Sequence, residues 1–149
     1  MTKKKYIVVE GPIGVGKTSL AKILAAEFQA RCIFEKVEDN PFLPKFYEDR
    51  ETHAFQNQLF FLLSRYQQQR ELIQQELFNQ NTVSDYLFAK DKIFATLTLS
   101  SEELNLYQQI YQLLDTRVPR PDLVVYLQAQ PEVLYKRIKK RDKSYERSI

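Results

Sequence analysis

Residues 11–18, Gly11-Pro12-Ile13-Gly14-Val15-Gly16-Lys17-Thr18, match the phosphate-binding pattern G-x-x-x-x-G-K-[ST]. The run 6–10 before this motif is short and rich in β-branched residues, as in a buried strand. In the segment 19–28 after it, apolar residues recur at helical spacing. Because strand, glycine loop and helix follow one another in the order that the motif requires, the sequence predicts a P-loop.

The chemistry of a P-loop assigns roles to this whole segment. Its glycines let backbone N–H groups turn inward beside the positive end of a new helix, which favours bound phosphate. We expect Lys17 to reach the outer phosphates of a nucleoside triphosphate and the Thr18 hydroxyl to help hold Mg²⁺. The predicted nucleotide-binding residues are Gly11, Pro12, Ile13, Gly14, Val15, Gly16, Lys17, Thr18 and Ser19.

Length and composition limit the class of protein. A chain of 149 residues supports one domain with a sizeable core, here residues 1–149. No apolar run approaches the roughly 20 residues of a membrane span, and the N-terminus leads into a strand rather than a signal-peptide core. The lone Cys32 cannot form an internal disulfide, which fits a reducing compartment. We therefore expect a cytoplasmic protein without a membrane partner.

The C-terminal segment is basic. Residues 136–149 contain seven basic and two acidic residues, a charge of +5, so the rest of the chain carries −2 of the net +3. A basic segment of this kind can bind nucleic acid. In a P-loop protein it more readily faces the phosphates of the nucleotide itself, so no nucleic-acid partner is expected.

Strand-like and helix-like segments alternate along the chain. Further strands are predicted at residues 31–37, 81–85 and 121–127, and further helices at 52–79, 91–99, 101–115 and from 131. The consecutive apolar residues of 121–127 are typical of a parallel strand covered on both faces, and Ser101-Glu102-Glu103-Leu104 indicates a capped helix start. This alternation predicts an α/β fold, a three-layer P-loop NTPase fold with a parallel sheet.

Three positions are candidate acids or caps because they follow strands. Ligands in open α/β sheets bind beyond the carboxyl ends of the strands. Glu38 follows the second strand, where a carboxylate can accept a proton from an attacking hydroxyl, whereas Asp39 more readily starts a turn or caps a helix. Asp85 ends the third strand, the usual place of the acid that holds Mg²⁺ together with the P-loop hydroxyl, Thr18.

The long helix carries two aligned polar side chains. Gln58 and Arg65 are seven residues apart and therefore share a face next to the apolar stripe. Side chains placed in this way can hydrogen-bond a planar base or can simply be solvated, and the spacing alone leaves both possibilities open.

Taken together, these segments resemble the deoxynucleoside kinase family, in particular the bacterial deoxyguanosine and deoxyadenosine kinases. The resemblance covers essentially all 149 residues, and its marks are 10–18, 37–43, Phe46-Tyr47, Gln58 with Arg65, 84–86, 122–127 and 137–146. It implies transfer of the γ-phosphoryl group of ATP to the 5′-hydroxyl of a deoxyribonucleoside in nucleotide salvage. It also implies a purine preference and a homodimer.

The same resemblance implies roles for individual residues. Glu38 matches the catalytic carboxylate, and Tyr47 with Glu146 matches the pair that holds the sugar 3′-hydroxyl. Gln58 matches the glutamine that binds the base, and Phe94 the aromatic residue that stacks on it. Arg65 and Asp91 match residues that contact the base in purine-preferring members. Asp85 matches the acid of an acidic-Arg-Ser motif at the substrate. The phosphate-binding positions of a lid near 137–149 are matched by Arg137, Arg141 and Lys143. Lys17 and Arg141 would assist the transfer.

Two departures from the family pattern stand out. Asp85-Tyr86-Leu87 replaces the acidic-Arg-Ser motif, so the Arg near the transferring phosphate is missing at Tyr86. In addition, family members usually continue beyond this length, so we expect a truncated chain that lacks the last strand and the C-terminal helices, with an unpaired sheet edge.

Two other functions compete with this interpretation. A nucleoside-monophosphate kinase, such as a thymidylate-kinase-like protein, would call for Arg residues around the acceptor phosphate. The acidic pair Glu38-Asp39 instead suits a neutral hydroxyl. A nucleotide-binding module without turnover is the second alternative.

Overall fold

The computed structural model describes residues 4–35, 41–75 and 80–141. The chain divides into two compact units, and each is described by itself: the first comprises Met1–Glu35, Leu72–Leu87 and Arg120–Lys143, and the second Lys36–Glu71, Phe88–Pro119 and Ser144–Ile149. The predicted single domain stays a prediction. Within the described ranges, no helix is long and apolar enough to cross a membrane.

The secondary structure alternates as the sequence predicts. In chain order the elements are β1 (Tyr6–Glu10), α1 (Lys17–Glu27), β2 (Arg31–Ile33), α2 (Leu43–Glu48), α3 (Arg50–Gln75), β3 (Thr82–Ser84), α4 (Lys90–Thr98), α5 (Ser101–Asp115), β4 (Leu123–Tyr126) and α6 (Pro131–Arg141). The predicted second strand and long helix extend into 36–37 and 76–79, which lie outside the described residues.

The first unit is built on a parallel sheet. Its four described strands have the order β2-β3-β1-β4, and all three pairings are parallel. β2 is shorter than predicted because its pairing with β3 spans only three residues, from Arg31 opposite Thr82 to Ile33 opposite Ser84. The predicted α/β class with a parallel sheet is confirmed.

Strand β1 is buried on both faces. Val8 packs with Ile33 and Tyr86 on one face, and Val9 packs with residues of α1 and β3 on the other. Both valines have no exposed surface. Burying a valine side chain stabilises a fold by roughly 1.5–3 kcal/mol, and the β-branched run fits this pleated environment. The strand that leads into the P-loop is therefore held firmly.

Strand β4 differs from the prediction of a strand covered on both faces. Leu123, Val124 and Tyr126 are 55%, 43% and 61% exposed. β4 is an edge strand and has only β1 beside it in the described sheet. The apolar run correctly predicted a strand in a parallel sheet, but such a run does not reveal whether other elements cover it.

The second unit is helical and contains α2, α3 up to Glu71, α4 and α5. Its core is formed by side chains from α3, α4 and α5 and from the segment before α4, namely Leu62, Phe88, Ala95, Tyr107 and Tyr111. The cap of α5 is Ser100, one residue before the predicted start signal. Its hydroxyl accepts from the Glu103 backbone N–H, and the Glu103 carboxylate accepts from the Ser100 N–H. This capping box fixes the start of α5.

Candidate active site

The P-loop connects β1 to α1 through glycines with left-handed backbone angles. Gly11 and Gly16 have φ values of 156° and 102°. Gly16 is the N-cap of α1, which begins at Lys17, so the amides of the first helical turn lie at the positive end of the helix. The predicted P-loop is present, and such a helix start is a ready site for an anion.

The two glycines are needed for different reasons. A Cβ added at Gly11 would lie 2.6 Å from the Leu127 carbonyl oxygen and 3.0 Å from Val15 Cγ1, whereas a Cβ at Gly16 would meet nothing within 4 Å. Gly11 therefore needs both its backbone angle and the missing side chain, and Gly16 needs only its backbone angle.

These differences predict unequal costs of substitution. Gly16→Ala should lower the free energy of unfolding by about 1–2 kcal/mol, the cost of a left-handed residue that carries a Cβ. Gly11→Ala should cost about 3 kcal/mol or more, because overlap with backbone is added to that strain. Denaturant unfolding of the two variants measures both values, and equal losses would contradict the close approach of Leu127 to Gly11.

Lys17 is held at the start of the P-loop. Its Nζ donates to the Gly11 carbonyl at 3.0 Å and lies 3.5 Å from Glu10 Oε1. Glu10 in turn accepts from the backbone N–H groups of Gly11 and Leu87, each at 2.9 Å. Sequence reasoning gave Glu10 no role, because its partner Leu87 is distant in the chain. The carboxylate joins the P-loop to the segment after β3 and keeps a negative charge beside Lys17.

Thr18 and Asp85 meet as the sequence predicts. The Thr18 hydroxyl donates to Asp85 Oδ2 at 2.7 Å, and Asp85 Oδ1 accepts from the Glu35 backbone N–H at 2.8 Å. A hydroxyl and a carboxylate are hard oxygen ligands, and Mg²⁺ is usually bound by one or two of these together with phosphates and waters. The residues present therefore fit a phosphate-bound Mg²⁺.

The lid residues fall partly within the described chain. Arg137 on α6 donates through Nη1 to the carbonyl oxygens of Val15 at 3.1 Å and Gly14 at 3.4 Å. Its guanidinium group therefore contacts the P-loop at these two carbonyl oxygens. Arg141 is exposed in the last turn of α6. The predicted roles of Glu38, Lys143 and Glu146 concern positions outside the described residues, so they stay predictions.

Gln58, Arg65 and Asp91 come together in the second unit. Arg65 donates to Asp91 Oδ1 through Nη1, and Gln58 Nε2 donates to the Asp91 backbone carbonyl at 2.9 Å. The Tyr107 hydroxyl donates to Asp91 Oδ2. These four residues, which we call the Asp91 cluster, are all at least 95% buried. Tyr107 was missed by sequence reasoning because it lies on α5, and only tertiary packing brings it to Asp91.

Charge and burial act against each other in the Asp91 cluster. Burial raises the pKa of the Asp91 carboxyl above its ordinary value, while the positive charge of Arg65 acts in the opposite direction. The Arg65 guanidinium also lies 4.6 Å from the centroid of the Phe61 ring, a cation–π distance. Removing either partner of such a buried pair would leave an uncompensated charge.

Tyr47 and Phe94 have different surroundings. Tyr47 on α2 is half-buried, and the Arg50 guanidinium lies 5.8 Å from the centroid of its ring. Phe94 on α4 is 50% exposed, whereas the neighbouring Ala95 is fully buried. The roles of Tyr47 at the sugar and of Phe94 at the base stay predictions.

A family model described as deoxynucleoside kinase matches residues 7–149. The chain belongs to the deoxynucleoside kinase family. Two relatives are a deoxyguanosine kinase of Bacillus subtilis (strain 168), 41% identical, and a deoxyadenosine kinase of Dictyostelium discoideum, 35% identical. The matches cover 100% and 97% of this chain but only 72% and 60% of the two relatives.

A solved structure shows the same fold. The deoxyadenosine kinase from M. mycoides with bound dATP matches this deoxynucleoside kinase family member with a TM-score of 0.81 at 25% sequence identity. The match covers 97% of this chain and 75% of that structure. The fold and the family predicted from sequence are thus confirmed, and this chain spans only part of the length of its relatives.

Tyr86 occupies the position at which the family pattern predicts an arginine. Its side chain has no exposed surface and packs in the first core with Tyr6 and Val8. Its backbone N–H and carbonyl both hydrogen-bond to the Ser84 hydroxyl. In this family member, residue 86 is therefore part of the hydrophobic core and does not provide a positive charge for the transferring phosphate.

Proposed function

We propose that this protein transfers the γ-phosphoryl group of ATP to the 5′-hydroxyl of a purine deoxyribonucleoside, a step of nucleotide salvage. The family match over residues 7–149 carries the proposal. The names of the two relatives, a deoxyguanosine kinase and a deoxyadenosine kinase, support a purine acceptor.

The phosphate donor would be held by the first unit. Amides at the start of α1 bind phosphate oxygens, and Lys17 exchanges its contact with the Gly11 carbonyl for the outer phosphates. Thr18 and Asp85 would hold Mg²⁺. When bound, Mg²⁺ neutralises charge on the transferring phosphoryl group. Arg137, Arg141 and Lys143 would add positive charge near the phosphates.

The acceptor would be recognised by separate groups for its base, sugar and reacting hydroxyl. Gln58, Arg65 and Asp91 would hydrogen-bond the base, and Phe94 would stack on it. Tyr47 and Glu146 would hold the 3′-hydroxyl, and Glu38 would accept the proton of the 5′-hydroxyl. Phosphoryl transfer depends mainly on positioning and charge neutralisation. The contacts to the acceptor would supply the positioning, and the cations around the phosphates would neutralise the charge.

A coupled ADP-release assay tests the proposal. ADP should form only when ATP, Mg²⁺ and a deoxynucleoside are all present, and faster with deoxyguanosine or deoxyadenosine than with deoxycytidine or thymidine. ADP formation that requires a nucleoside monophosphate would identify the thymidylate-kinase-like alternative. ATP binding without acceptor-dependent turnover would identify a nucleotide-binding module, and either result would overturn the proposal.

We also propose that the protein acts in the cytoplasm as a homodimer. The lone Cys32, half-buried as a free thiol, supports a reducing compartment. Light scattering coupled to size-exclusion chromatography determines the oligomeric state, and a monomer at micromolar concentration would contradict the dimer.

A further inference from the structure

Both carboxylate oxygens of Asp91 are engaged by donors of the protein. Oδ1 accepts from Arg65 on α3, and Oδ2 accepts from the Tyr107 hydroxyl on α5. Asp91 and Tyr107 have no exposed surface, and Arg65 is 4% exposed. A ligand donor that approached Asp91 would therefore meet a carboxylate whose two oxygens each already accept a hydrogen bond, and it would gain less than from an unpaired carboxylate.

The other members of the Asp91 cluster have defined hydrogen-bonding character. Arg65 has only donors, arranged in a planar fork. Gln58 directs its Nε2 to the Asp91 carbonyl, so the remaining oxygen of its amide is an acceptor. Guanine presents the acceptors O6 and N7 to a guanidinium fork, and its N1–H is a donor. Adenine carries an amino group at position 6, which is a donor. A donor of Arg65 cannot form a hydrogen bond with this amino group.

We propose that Tyr107 is a positioning residue that makes the Asp91 cluster select 6-oxopurines over 6-aminopurines. By donating to Oδ2, the Tyr107 hydroxyl makes Asp91 a weaker acceptor for the 6-amino group of a base. It also fixes the carboxylate that orients Arg65 toward a 6-oxo group. This inference rests on the proposed function and deepens it from purine to guanine-type acceptors.

The hydroxyl of Tyr107 is a dependable donor. Burial raises the pKa of this hydroxyl far above its ordinary value, and the Asp91 carboxylate raises it further. The phenol therefore stays protonated at any pH at which the protein is assayed. Its ring packs in the core with Leu62 and Phe88, so that removal of the oxygen alone leaves the packing of the ring in place.

Tyr107→Phe tests the inference, with four acceptors compared under the same conditions. 2′-Deoxyguanosine and 2′-deoxyinosine carry a 6-oxo group, and 2′-deoxyadenosine and 2,6-diaminopurine deoxyriboside carry a 6-amino group. The wild type should prefer the first pair. In the variant, the ratio of kcat/KM for deoxyinosine to that for deoxyadenosine should fall at least about tenfold, the scale of a buried hydrogen bond to a charged group.

Tyr111→Phe is the matched control. Tyr111 lies one turn further along α5 in the same core, and its hydroxyl faces Asp115 rather than Asp91. The control should keep the wild-type ratio. A merely structural role of Tyr107 would lower kcat/KM for all four acceptors by one factor and leave the ratio unchanged, which would overturn the inference.

The outcomes separate this inference from the proposed function. A wild type that phosphorylates deoxynucleosides but prefers the 6-amino pair contradicts only the inference. A wild type that phosphorylates no deoxynucleoside, or only monophosphates, contradicts the proposed function on which the inference rests.

Discussion

Asp85→Asn should lower kcat about 10²–10³-fold at saturating ATP and deoxynucleoside, the usual effect of removing one electrostatic contact to a phosphoryl-transfer transition state. The Mg²⁺ concentration for half-maximal rate should rise at least about tenfold. The reason is that an amide oxygen carries no net charge and attracts a divalent cation less than a carboxylate does.

The substitution should not disturb the fold. Asp85 accepts from the Thr18 hydroxyl and from the Glu35 backbone N–H. An asparagine oxygen can still accept from Glu35, and its amino group can donate to the Thr18 oxygen. Near-wild-type thermal unfolding should therefore accompany the loss of activity, and a Mg²⁺ titration of the rate measures the change in metal dependence.

Asp122→Asn provides the matched control for Asp85. Asp122 lies in the same unit, and its Oδ2 accepts from the Tyr6 backbone N–H at 2.7 Å. The same chemical change at this position should leave the Mg²⁺ dependence at the wild-type value. If a folded Asp85→Asn variant kept both its rate and its Mg²⁺ dependence, the assignment of Asp85 to the metal would be wrong.

The features that the sequence predicted well are local. The bounds of β1 and α5 agree with the predicted segments, because a β-branched run and an amphipathic helix with a capping box are encoded within a few residues. The contact between Thr18 and Asp85 was predictable although 67 positions separate them. The P-loop and the acid at the end of β3 both lie at the carboxyl ends of parallel strands, which meet at one edge of the sheet. The motif therefore predicts that its hydroxyl and this acid lie close together.

The features that the sequence did not reveal depend on tertiary packing. Asp91 was expected at the base, but its contact with Tyr107 joins the start of α4 to the middle of α5, and no spacing rule relates those positions. Likewise, Arg137 contacts P-loop carbonyls from α6, 122 positions away from Val15. The apolar run of β4 predicts a strand, but it cannot show that the strand lies at an exposed edge of the sheet. The preference of a residue for strands depends on its side chain and does not reveal which other elements cover it.

Glu38→Gln should lower kcat by about 10²–10⁴-fold, the contribution of a general base. A glutamine of nearly the same shape cannot accept the proton of the 5′-hydroxyl, so positioning is kept and proton removal is lost. Because we propose that ATP binds at the P-loop, its dissociation constant, measured by calorimetry without acceptor, should stay close to the wild-type value.

Asp39→Asn separates this chemical role from a general effect of acidic charge after the second strand. The two variants lose one carboxylate each in adjacent positions, but only Glu38 is proposed to accept the proton. A large loss of kcat in Glu38→Gln with little change in Asp39→Asn would support a proton acceptor at residue 38. Equal losses in both variants would instead indicate that the charge of the segment matters, and unchanged turnover in Glu38→Gln would remove Glu38 from the mechanism.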